Sequence, residues 1–353
     1  MTSFNRKITG SLLLITLIGA LLRAYQLGFQ CYWTEETYTI NLINNPAVTV
    51  LINAIITDCN PPIYYISAHF AWILLGCQDI AIRYPSLICG ILLIPAMYYL
   101  GKTFKDKITG LYCAGITAVL FPMVYYSQFG RAYAMTFLFF VLALIFYVKL
   151  WNEKFSVNTV NNQVYFSILA AVTVWTHLFA IIPLGLMLIF LFKDDILKGL
   201  FSALMFGALV LPLSPIVNGT QNRGSFGMSL TELLVITPTE FFSLTFPYIG
   251  LLALIGAYQE RKKSLTYCLL IVTVITILLG IFVSLLTPTF PRYFMTVSFI
   301  IILFTACACE NFLSDLHWSV NARITLLFSV MAIMLAMQYP EFVTHYFVQK
   351  YQC

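Results

Sequence analysis

Residues 132–150 read AYAMTFLFFVLALIFYVKL, an apolar run that carries no charge before Lys149. About 20 such residues in an α-helix cross the hydrocarbon core of a bilayer. Comparable runs lie at about 8–22, 62–76, 80–100, 110–127, 164–192, 198–217, 241–257, 265–286, 293–313 and 323–339. If the run at 164–192 divides at Pro183, it contributes two elements. We therefore predict an all-α polytopic membrane protein, a bundle of about 11–12 transmembrane helices.

The composition of the chain excludes several classes of protein. Of its 353 residues, 60% are hydrophobic and 9% are charged, whereas a soluble domain carries about a quarter charged residues. So few charges cannot cover a water-soluble surface of this size, which excludes a cytosolic enzyme, a disordered chain and a secreted disulfide scaffold. The net charge of +5 is small and scattered, and basic residues beside membrane spans account for it. The expected surroundings are a lipid bilayer, and nucleic acid is not an expected partner.

The apolar runs predict a single transmembrane domain over residues 1–340, followed by a short tail at 341–353, with no separate soluble domain. Two polar connections interrupt the runs: an exterior loop at 23–61, which contains no lysine, and a polar loop at 218–240. Residues 47–57 of the exterior loop are apolar but too short to span a bilayer, so we expect interfacial helices in this loop.

The basic residues conflict with a simple alternation of spans. If the N-terminus is cytoplasmic and every run is a span, Lys102, Lys105 and Lys107 fall on the exterior side. Cytoplasmic connections normally carry the excess of lysine and arginine. One of the runs is therefore expected to be re-entrant or interfacial, and the sequence does not identify which one.

Two adjacent carboxylates lie in the exterior loop, in the segment Trp33-Thr34-Glu35-Glu36-Thr37-Tyr38. Acids in the first turn of a helix that Thr34 caps would complement the helix dipole, which is a structural role. At a membrane surface, Glu35 and Glu36 are equally suited to act as a general base or to bind a divalent cation. Both interpretations stay open on the residues alone.

A second polar segment follows in the same loop, Asp58-Cys59-Asn60-Pro61-Pro62-Ile63-Tyr64-Tyr65. The proline pair favours the start of a helix, because the first turn needs no amide donors. On that helix Tyr65, His69 and Trp72 share a face, which is typical of an interfacial aromatic belt or of a surface that binds a substrate. The exterior loop thus contains three acidic residues, Glu35, Glu36 and Asp58, and one arginine. This excess of negative charge favours a cation or a cationic partner. Cys31 and Cys59 are candidates for a disulfide.

Arginines at the ends of the apolar runs are candidates for binding a phosphate, because the guanidinium fits its oxygens. Gln128 and Arg131 are three residues apart and can share a helical face, and Arg292 opens a later run. Membrane anchoring is the alternative role for these arginines, and most strongly for Arg83. His177 lies within an apolar run, where it is either functional or a neutral histidine bonded to a backbone carbonyl.

Taken together, these motifs resemble the GT-C-fold glycosyltransferases, above all the group that contains protein O-mannosyltransferases and lipid A aminoarabinose transferases. The resemblance covers about residues 8–300. The matching segments, in order, are Glu35-Glu36 with Tyr38, Asp58 with Pro61-Pro62 and Tyr64-Tyr65, Ala81-Ile82-Arg83-Tyr84-Pro85-Ser86, Tyr126-Ser127-Gln128 with Arg131 and Tyr133, Thr176-His177, and Pro291-Arg292-Tyr293.

The resemblance implies an integral enzyme of the plasma (inner) membrane with its active site on the exterior or periplasmic side. It implies transfer of a sugar from a polyprenyl-phosphate donor to an acceptor hydroxyl on a glycan, lipid or protein, with inversion at the anomeric carbon. In that family the acidic pair carries the catalytic base. The family usually has Asp before Glu, whereas Glu35 stands first here, and it often has His or Lys where this chain has Asn60.

The resemblance gives the acidic pair its expected role, and the chemistry of the other residues suggests theirs. The catalytic candidates are Glu35 and Glu36. The candidates for binding the donor phosphate are Arg131, Arg292 and Tyr133. The candidates for lining the substrate site are Tyr38, Tyr65, His69, Arg83 and Gln128. A divalent metal ion is the one cofactor considered, with Asp58, Glu36 and His177 as its ligands; a hard ion suits the carboxylates and zinc suits the histidine.

Two other functions remain open at this point. A transporter or flippase of lipid-linked sugars is one, although such proteins tend to show internal duplication and charges at mid-membrane depth. The other is an inactive member of the same family that acts as a partner subunit, which the departures at Glu35 and Asn60 make plausible.

Overall fold

The computed structural model describes residues 3–56, 60–76, 78–153, 157–216, 241–242, 246–286 and 291–348, and the regular structure in these ranges is helical. The α-helices are α1 (Ser3–Ala24), α2 (Thr34–Ile43), α3 (Ala47–Ile56), α4 (Ile63–Leu74), α5 (Arg83–Phe104), α6 (Lys107–Val119), α7 (Phe121–Ser127), α8 (Tyr133–Asn152), α9 (Val157–Thr176), α10 (Ile181–Asp194), α11 (Ile196–Val210), α12 (Phe246–Gln259), α13 (Ser264–Leu286), α14 (Ser298–Asp315), α15 (Val320–Met337) and α16 (Tyr339–Phe347). Short 3₁₀ helices lie at Asp79–Ile82, Leu178–Ala180, Leu211–Leu213 and Pro291–Val297.

Seven helices of the described residues are long and apolar enough to cross a membrane, so the chain is an integral membrane protein. They are α1, α5, α8, α11, α13, α14 and α15. The pair α6 and α7, bent by 63°, is an eighth if it forms one span. The predicted number was higher because several apolar runs form shorter helices. For example, α4 has 12 residues and is about 18 Å long, against a hydrocarbon core of about 30 Å.

The short helix α4 also removes the conflict between the lysines and the span count. Helices α2, α3 and α4 lie between α1 and α5 in the sequence. They pack on one another, and α4 also packs on α5. Because the run at 62–76 does not cross, α5 returns directly to the end of the bundle where α1 begins. Lys102, Lys105 and Lys107 therefore lie near that end, where Lys107 Nζ donates to Asn5 Oδ1 at 2.7 Å.

The two ends of the bundle differ in their basic residues. We call one the lysine end: the start of α1 and the connections α5–α6, α8–α9, α10–α11, α12–α13 and α14–α15. Every lysine in the described ranges lies at this end. We call the other the site end: residues 24–83 and the connections α7–α8, α9–α10, α13–α14 and α15–α16. It holds Arg23, Arg83, Arg131 and Arg292.

A buried arginine stabilises the bend between α6 and α7. Pro122 has no N–H to donate to the carbonyl of Ala118, and the extended Leu120 breaks the helical ladder. Arg23 supplies the missing donors: Nη1 reaches the Ala118 oxygen at 2.8 Å and Nη2 the Thr117 oxygen at 2.9 Å. The bend is therefore part of the packing at the site end.

The C-terminal helix α16 packs against α7 at the site end. The ring of Phe342 in α16 packs edge to face on the ring of Phe121, with centroids 5.1 Å apart. The His345 ring is hydrogen-bonded to Gln128 Oε1. The described part of the predicted tail is thus a packed helix up to Phe347. The polar loop predicted at 218–240 lies outside the described residues.

Candidate active site

The acidic pair lies in the first turn of α2, whose N-cap is Trp33 rather than the predicted Thr34. Glu36 reaches back along the chain, and its Oε2 accepts a hydrogen bond from the backbone N–H of Trp33 at 3.1 Å. This bond satisfies one of the free amides at the helix start. The carboxylates also complement the helix dipole, so the structural interpretation of the pair holds for Glu36.

The Glu36 carboxylate is fully buried, and both of its oxygens are engaged. Oε1 accepts from Arg83 Nε at 2.8 Å and from the Gly130 N–H at 2.7 Å, and Oε2 accepts from Arg83 Nη2 at 2.9 Å. A Cβ at Gly130 would lie 2.8 Å from Glu36 Oε1 and 2.6 Å from Ile82 Cδ1, so the approach requires glycine. Glu36 thereby joins α2 to the start of α5 and to the turn before α8.

Arg83 binds several groups of the same cluster. Besides the ion pair with Glu36, its Nη1 donates to the Leu27 carbonyl at 2.8 Å, and its guanidinium lies 4.9 Å from the centroid of the Tyr32 ring. The side chain is 2% exposed, so it is a buried structural partner in this structure. Its predicted role in lining the substrate site stays a prediction.

The neighbouring residue, Glu35, has a different environment. Its Oε1 accepts from Arg292 Nη2 at 2.6 Å, while its Oε2 is buried and has no hydrogen-bond partner in the described part of the chain. The side chain is 29% exposed. Consecutive residues on a helix point about 100° apart, so one glutamate faces the Arg83 cluster and the other faces Arg292. Of the two glutamates, only Glu35 has a carboxylate oxygen without a hydrogen-bond partner in the described ranges.

Arg292 connects Glu35 to an aromatic group. Its Nε donates to the hydroxyl of the buried Tyr133 at 3.1 Å, and the rings of Tyr133 and Tyr293 are stacked with centroids 6.4 Å apart. His177 lies against both rings, 5.8 Å from Tyr133 and 5.0 Å from Tyr293. The structure thus brings together residues from the ends of α2, α8, α9 and α14.

Arg131 contacts the same residue through the backbone. Its Nη1 donates to the Glu35 backbone oxygen at 3.3 Å and to Thr39 Oγ1 at 3.2 Å, and its guanidinium is 5.6 Å from the Tyr65 ring centroid. Two guanidinium groups therefore contact the first turns of α2 at Glu35. This arrangement can bind an anion beside a carboxylate that has a free oxygen.

His177 is neutral in these surroundings. Burial, and then the positive charges of Arg131 and Arg292, lower the pKa of His177 to about 3. A neutral imidazole is able to donate or accept one hydrogen bond near the arginines. It adds no positive charge at neutral pH.

The remaining candidates lie at the edge of this cluster or outside it. Tyr38 is 41% exposed, one turn after Glu35. His69 is buried, and its Nδ1 lies 2.8 Å from the Ile43 carbonyl oxygen. Gln128 donates to the backbone oxygens of Arg23 and Tyr25 at 2.8 and 2.7 Å, which fixes the exterior loop. The roles predicted for these side chains in the substrate site are still predictions.

The described residues do not assemble the predicted metal site. Glu36 has no oxygen left for a metal, and the two arginines nearest His177 disfavour a cation. Within the described ranges, no group of three or more His, Cys, Asp or Glu side chains is placed to bind a metal ion. Asp58, the third predicted ligand, lies outside those ranges.

Three site residues were not predicted as functional. Thr39 follows Glu35 by four residues, so helical spacing alone places both on one face. Gly130 precedes Arg131, and a glycine beside a candidate arginine indicates a close backbone approach. Tyr293 is adjacent to Arg292, and its stacking on Tyr133 depends on a contact between distant parts of the chain.

Comparison with solved structures identifies the fold. ArnT from Cupriavidus metallidurans bound to undecaprenyl phosphate matches with a TM-score of 0.65 and 13% identity, over 95% of this chain and 64% of that protein. The archaeal oligosaccharyltransferase AglB from Archaeoglobus fulgidus, in complex with an inhibitory peptide and a dolichol-phosphate, matches with a TM-score of 0.62 and 13% identity, over 97% and 56%. The oligosaccharyltransferase of the same organism in complex with Zn and sulfate has a TM-score of 0.59 and 15% identity, over 97% and 53%.

These matches show that the chain has the GT-C fold, as the sequence motifs predicted. The chain spans between about half and two thirds of the length of these proteins. No family model and no curated protein matches the sequence.

Proposed function

We propose that the protein is a membrane glycosyltransferase that moves a sugar from a polyprenyl-phosphate donor to an acceptor hydroxyl. The observation that carries this proposal is the Glu35 carboxylate: one oxygen accepts from Arg292, the other has no hydrogen-bond partner in the described ranges, and a second guanidinium, that of Arg131, donates to the Glu35 backbone oxygen. Support for the donor class comes from the fold, since ArnT was solved with undecaprenyl phosphate and AglB with a dolichol-phosphate. The acceptor class is a glycan, a lipid or a protein.

In the proposed reaction Glu35 Oε2 is the general base. It takes the proton from the acceptor hydroxyl as the hydroxyl oxygen bonds to the anomeric carbon of the sugar. The bond between that carbon and the phosphate oxygen breaks, and its electron pair leaves with the polyprenyl phosphate. One displacement of this kind inverts the anomeric centre.

The departing phosphate gains negative charge, which the site must stabilise. Arg292 and Arg131 supply guanidinium groups, and the Tyr133 hydroxyl supplies another donor beside Arg292. In this arrangement the Nη2 of Arg292 is occupied by Glu35 at 2.6 Å. A bound phosphate therefore competes with Glu35 for Arg292, which frees the carboxylate and raises its affinity for a proton. Donor binding would thus prepare the base.

Glu36 is assigned a positioning role. It links α2 to Arg83 and to the Gly130 amide, so it fixes Glu35 and Arg131 relative to each other. Glu35 directly precedes Glu36 in the sequence. Arg131 directly follows Gly130, whose N–H donates to Glu36. The two adjacent glutamates then have different tasks.

We place the site end on the exterior side of the plasma (inner) membrane. The lysine end carries every described lysine, and cytoplasmic connections carry the excess of positive charge. Cys31 at the site end is disulfide-bonded, which suits an oxidising exterior compartment; Cys59, its predicted partner, lies outside the described residues. Both observations support the same orientation.

A transport assay and a transfer assay together test the function. Purified protein is reconstituted in vesicles with labelled polyprenyl-phosphate sugars and candidate acceptors. A glycosyltransferase releases free polyprenyl phosphate in proportion to the glycosylated product. A flippase moves the labelled lipid across the bilayer without releasing it, and an inactive partner subunit does neither, so either of these results would contradict the proposal.

A further inference from the structure

A cavity of about 530 Å³ lies at the lysine end, on the opposite side of the bundle from the candidate active site. Helix α5 separates the two ends by about 33 Å, given its 22 residues. The cavity has the volume of a small-molecule site. It is lined by Phe4, Lys102, Asp106, Lys107, Ile108, Glu310, Val320 and Arg323.

The wall of this cavity carries an excess of positive charge. Lys102, Lys107 and Arg323 face two carboxylates, and both of those have structural tasks. Asp106 Oδ1 caps α6 by accepting from the N–H groups of Ile108 and Thr109 at 2.9 and 2.8 Å. Lys102 has no carboxylate within ion-pair distance among the described residues. The cavity therefore suits a phosphate group.

Glu310 makes the same cavity suit a cation as well. Its Oε1 accepts from Arg323 Nη1 at 2.6 Å, but its Oε2 is buried and has no hydrogen-bond partner in the described ranges. The residue is only 4% exposed. A buried carboxylate oxygen without a donor is costly, and a ligand with an N–H cation would satisfy it. The cavity thus offers places for a phosphate and for an ammonium group.

The cavity also lies beside helices that have few neighbours in the bundle. Its walls include Phe4 of α1 and Val320 of α15, which are the ends of the two least buried of the candidate spans in the described chain. Both helices pack on α6. A ligand in the cavity would therefore have its apolar part beside the bilayer.

From these contacts we infer that the lysine end binds the headgroup of an amino-phospholipid, with its phosphate at Lys102 and Lys107 and its primary ammonium at Glu310. Among phospholipids, phosphatidylethanolamine carries these two groups without a further charge, whereas phosphatidylserine adds a carboxylate on the carbon that bears its ammonium and would place that charge beside Glu310. Phosphatidylcholine has no N–H to donate, and phosphatidylglycerol has no ammonium. The inference does not depend on the proposed enzyme activity.

Native mass spectrometry of the full chain, delipidated in detergent, tests this inference with dioleoyl lipids of the three headgroups. Phosphatidylethanolamine should bind about tenfold more tightly than phosphatidylcholine, because it alone donates a charged hydrogen bond to Glu310. Glu310→Gln should remove that preference. Lys102→Gln should weaken the binding of all three lipids by about threefold or more.

A control variant separates the cavity lysines from another lysine at the same end. Lys149 lies in the last turn of α8 at the lysine end but does not line the cavity, so Lys149→Gln should leave lipid binding unchanged. If Glu310→Gln does not fold, the wild-type headgroup preference and the Lys102→Gln variant still decide the question. Equal binding of the three lipids, a preference for phosphatidylglycerol, or equal effects of Lys102→Gln and Lys149→Gln would each overturn the inference.

Discussion

The two ends of the bundle contain the same ion pair in different surroundings. Glu35 with Arg292 at the site end and Glu310 with Arg323 at the lysine end each have an N–O distance of 2.6 Å, and each glutamate has one carboxylate oxygen without a partner among the residues that the structure describes. Near Glu35 lie a second arginine and aromatic rings, whereas Glu310 lines a cavity that also contains Lys102 and Lys107. The pair alone does not define a function; its neighbours determine whether it suits proton transfer or lipid binding.

A third pair, Glu36 with Arg83, completes the comparison. Both of its oxygens are engaged and its side chains are almost fully buried. Breaking a buried pair costs more than breaking a partly exposed one. Substitutions at the three glutamates should therefore affect turnover, stability and lipid binding separately.

The largest expected effect is on turnover at the site end. Glu35→Gln removes the base and should lower the transfer rate about 10²- to 10⁴-fold, the usual contribution of a general base. The measurement is the initial rate of polyprenyl phosphate release. Glu341→Gln is the matched control, because Glu341 also lies in the first turn of a helix and has a free Oε2, but it forms no ion pair in the described structure. An active Glu35→Gln enzyme would remove Glu35 from the mechanism.

The next effect is on stability. Glu36→Gln leaves Arg83 buried without a counter-charge and should lower the free energy of unfolding by about 3–5 kcal/mol. Thermal unfolding in detergent measures it, and Glu35→Gln should have a much smaller effect. The double variant Glu36→Leu with Arg83→Met should regain part of the loss, since it removes both buried charges. Equal melting temperatures for the two single variants would contradict the different tasks assigned to the pair.

A smaller effect is expected on donor affinity. Arg131→Ala should weaken the binding of undecaprenyl phosphate about tenfold to a hundredfold, because it removes charge-assisted hydrogen bonds to the phosphate. Arg261→Ala provides the control, since Arg261 lies at the lysine end and donates to the Tyr258 carbonyl. Unchanged donor affinity in Arg131→Ala would remove Arg131 from the phosphate site.

The last effect concerns the dependence of stability on pH. His177 has a pKa lowered to about 3, against an ordinary value of 6.5, so the unfolded chain binds this proton first as the pH falls. Stability should therefore rise with pH between those values, by at most about 1.4 kcal/mol per pH unit from this group. In His177→Asn the melting temperature should depend less on pH across that window. Parallel pH profiles for the variant and the wild type would contradict a neutral His177.

The sequence predicted the helices better than the number of spans. The described parts of the apolar runs are helical, and the motifs led to the correct fold. Composition did not distinguish α4 from a membrane span. Whether an apolar run crosses the bilayer depends on the length of the helix that it forms and on the helices around it, and α4 has only 12 residues. The bend at Pro122 depends on Arg23, almost a hundred residues earlier in the chain.

The sequence could not show that Glu35 and Glu36 have different environments, because this too depends on contacts between distant residues. The two residues are adjacent and identical in chemistry. Their partners, Arg292 and Arg83, are 257 and 47 residues away in the chain. Only the contacts of α2 with the start of α5 and with the 3₁₀ helix Pro291–Val297 determine which carboxylate is saturated and which has an oxygen without a partner in the described chain.

The central claim is that Glu35 and the donor phosphate share Arg292, and the affinity of Glu35→Gln for undecaprenyl phosphate tests it most directly. Removing the competing carboxylate should make the variant bind this lipid several-fold more tightly than the wild type, while Glu341→Gln binds as the wild type does. If Glu35→Gln binds the lipid more weakly, Glu35 serves to hold Arg292 in place for the phosphate, and the account of a base prepared by donor binding is wrong.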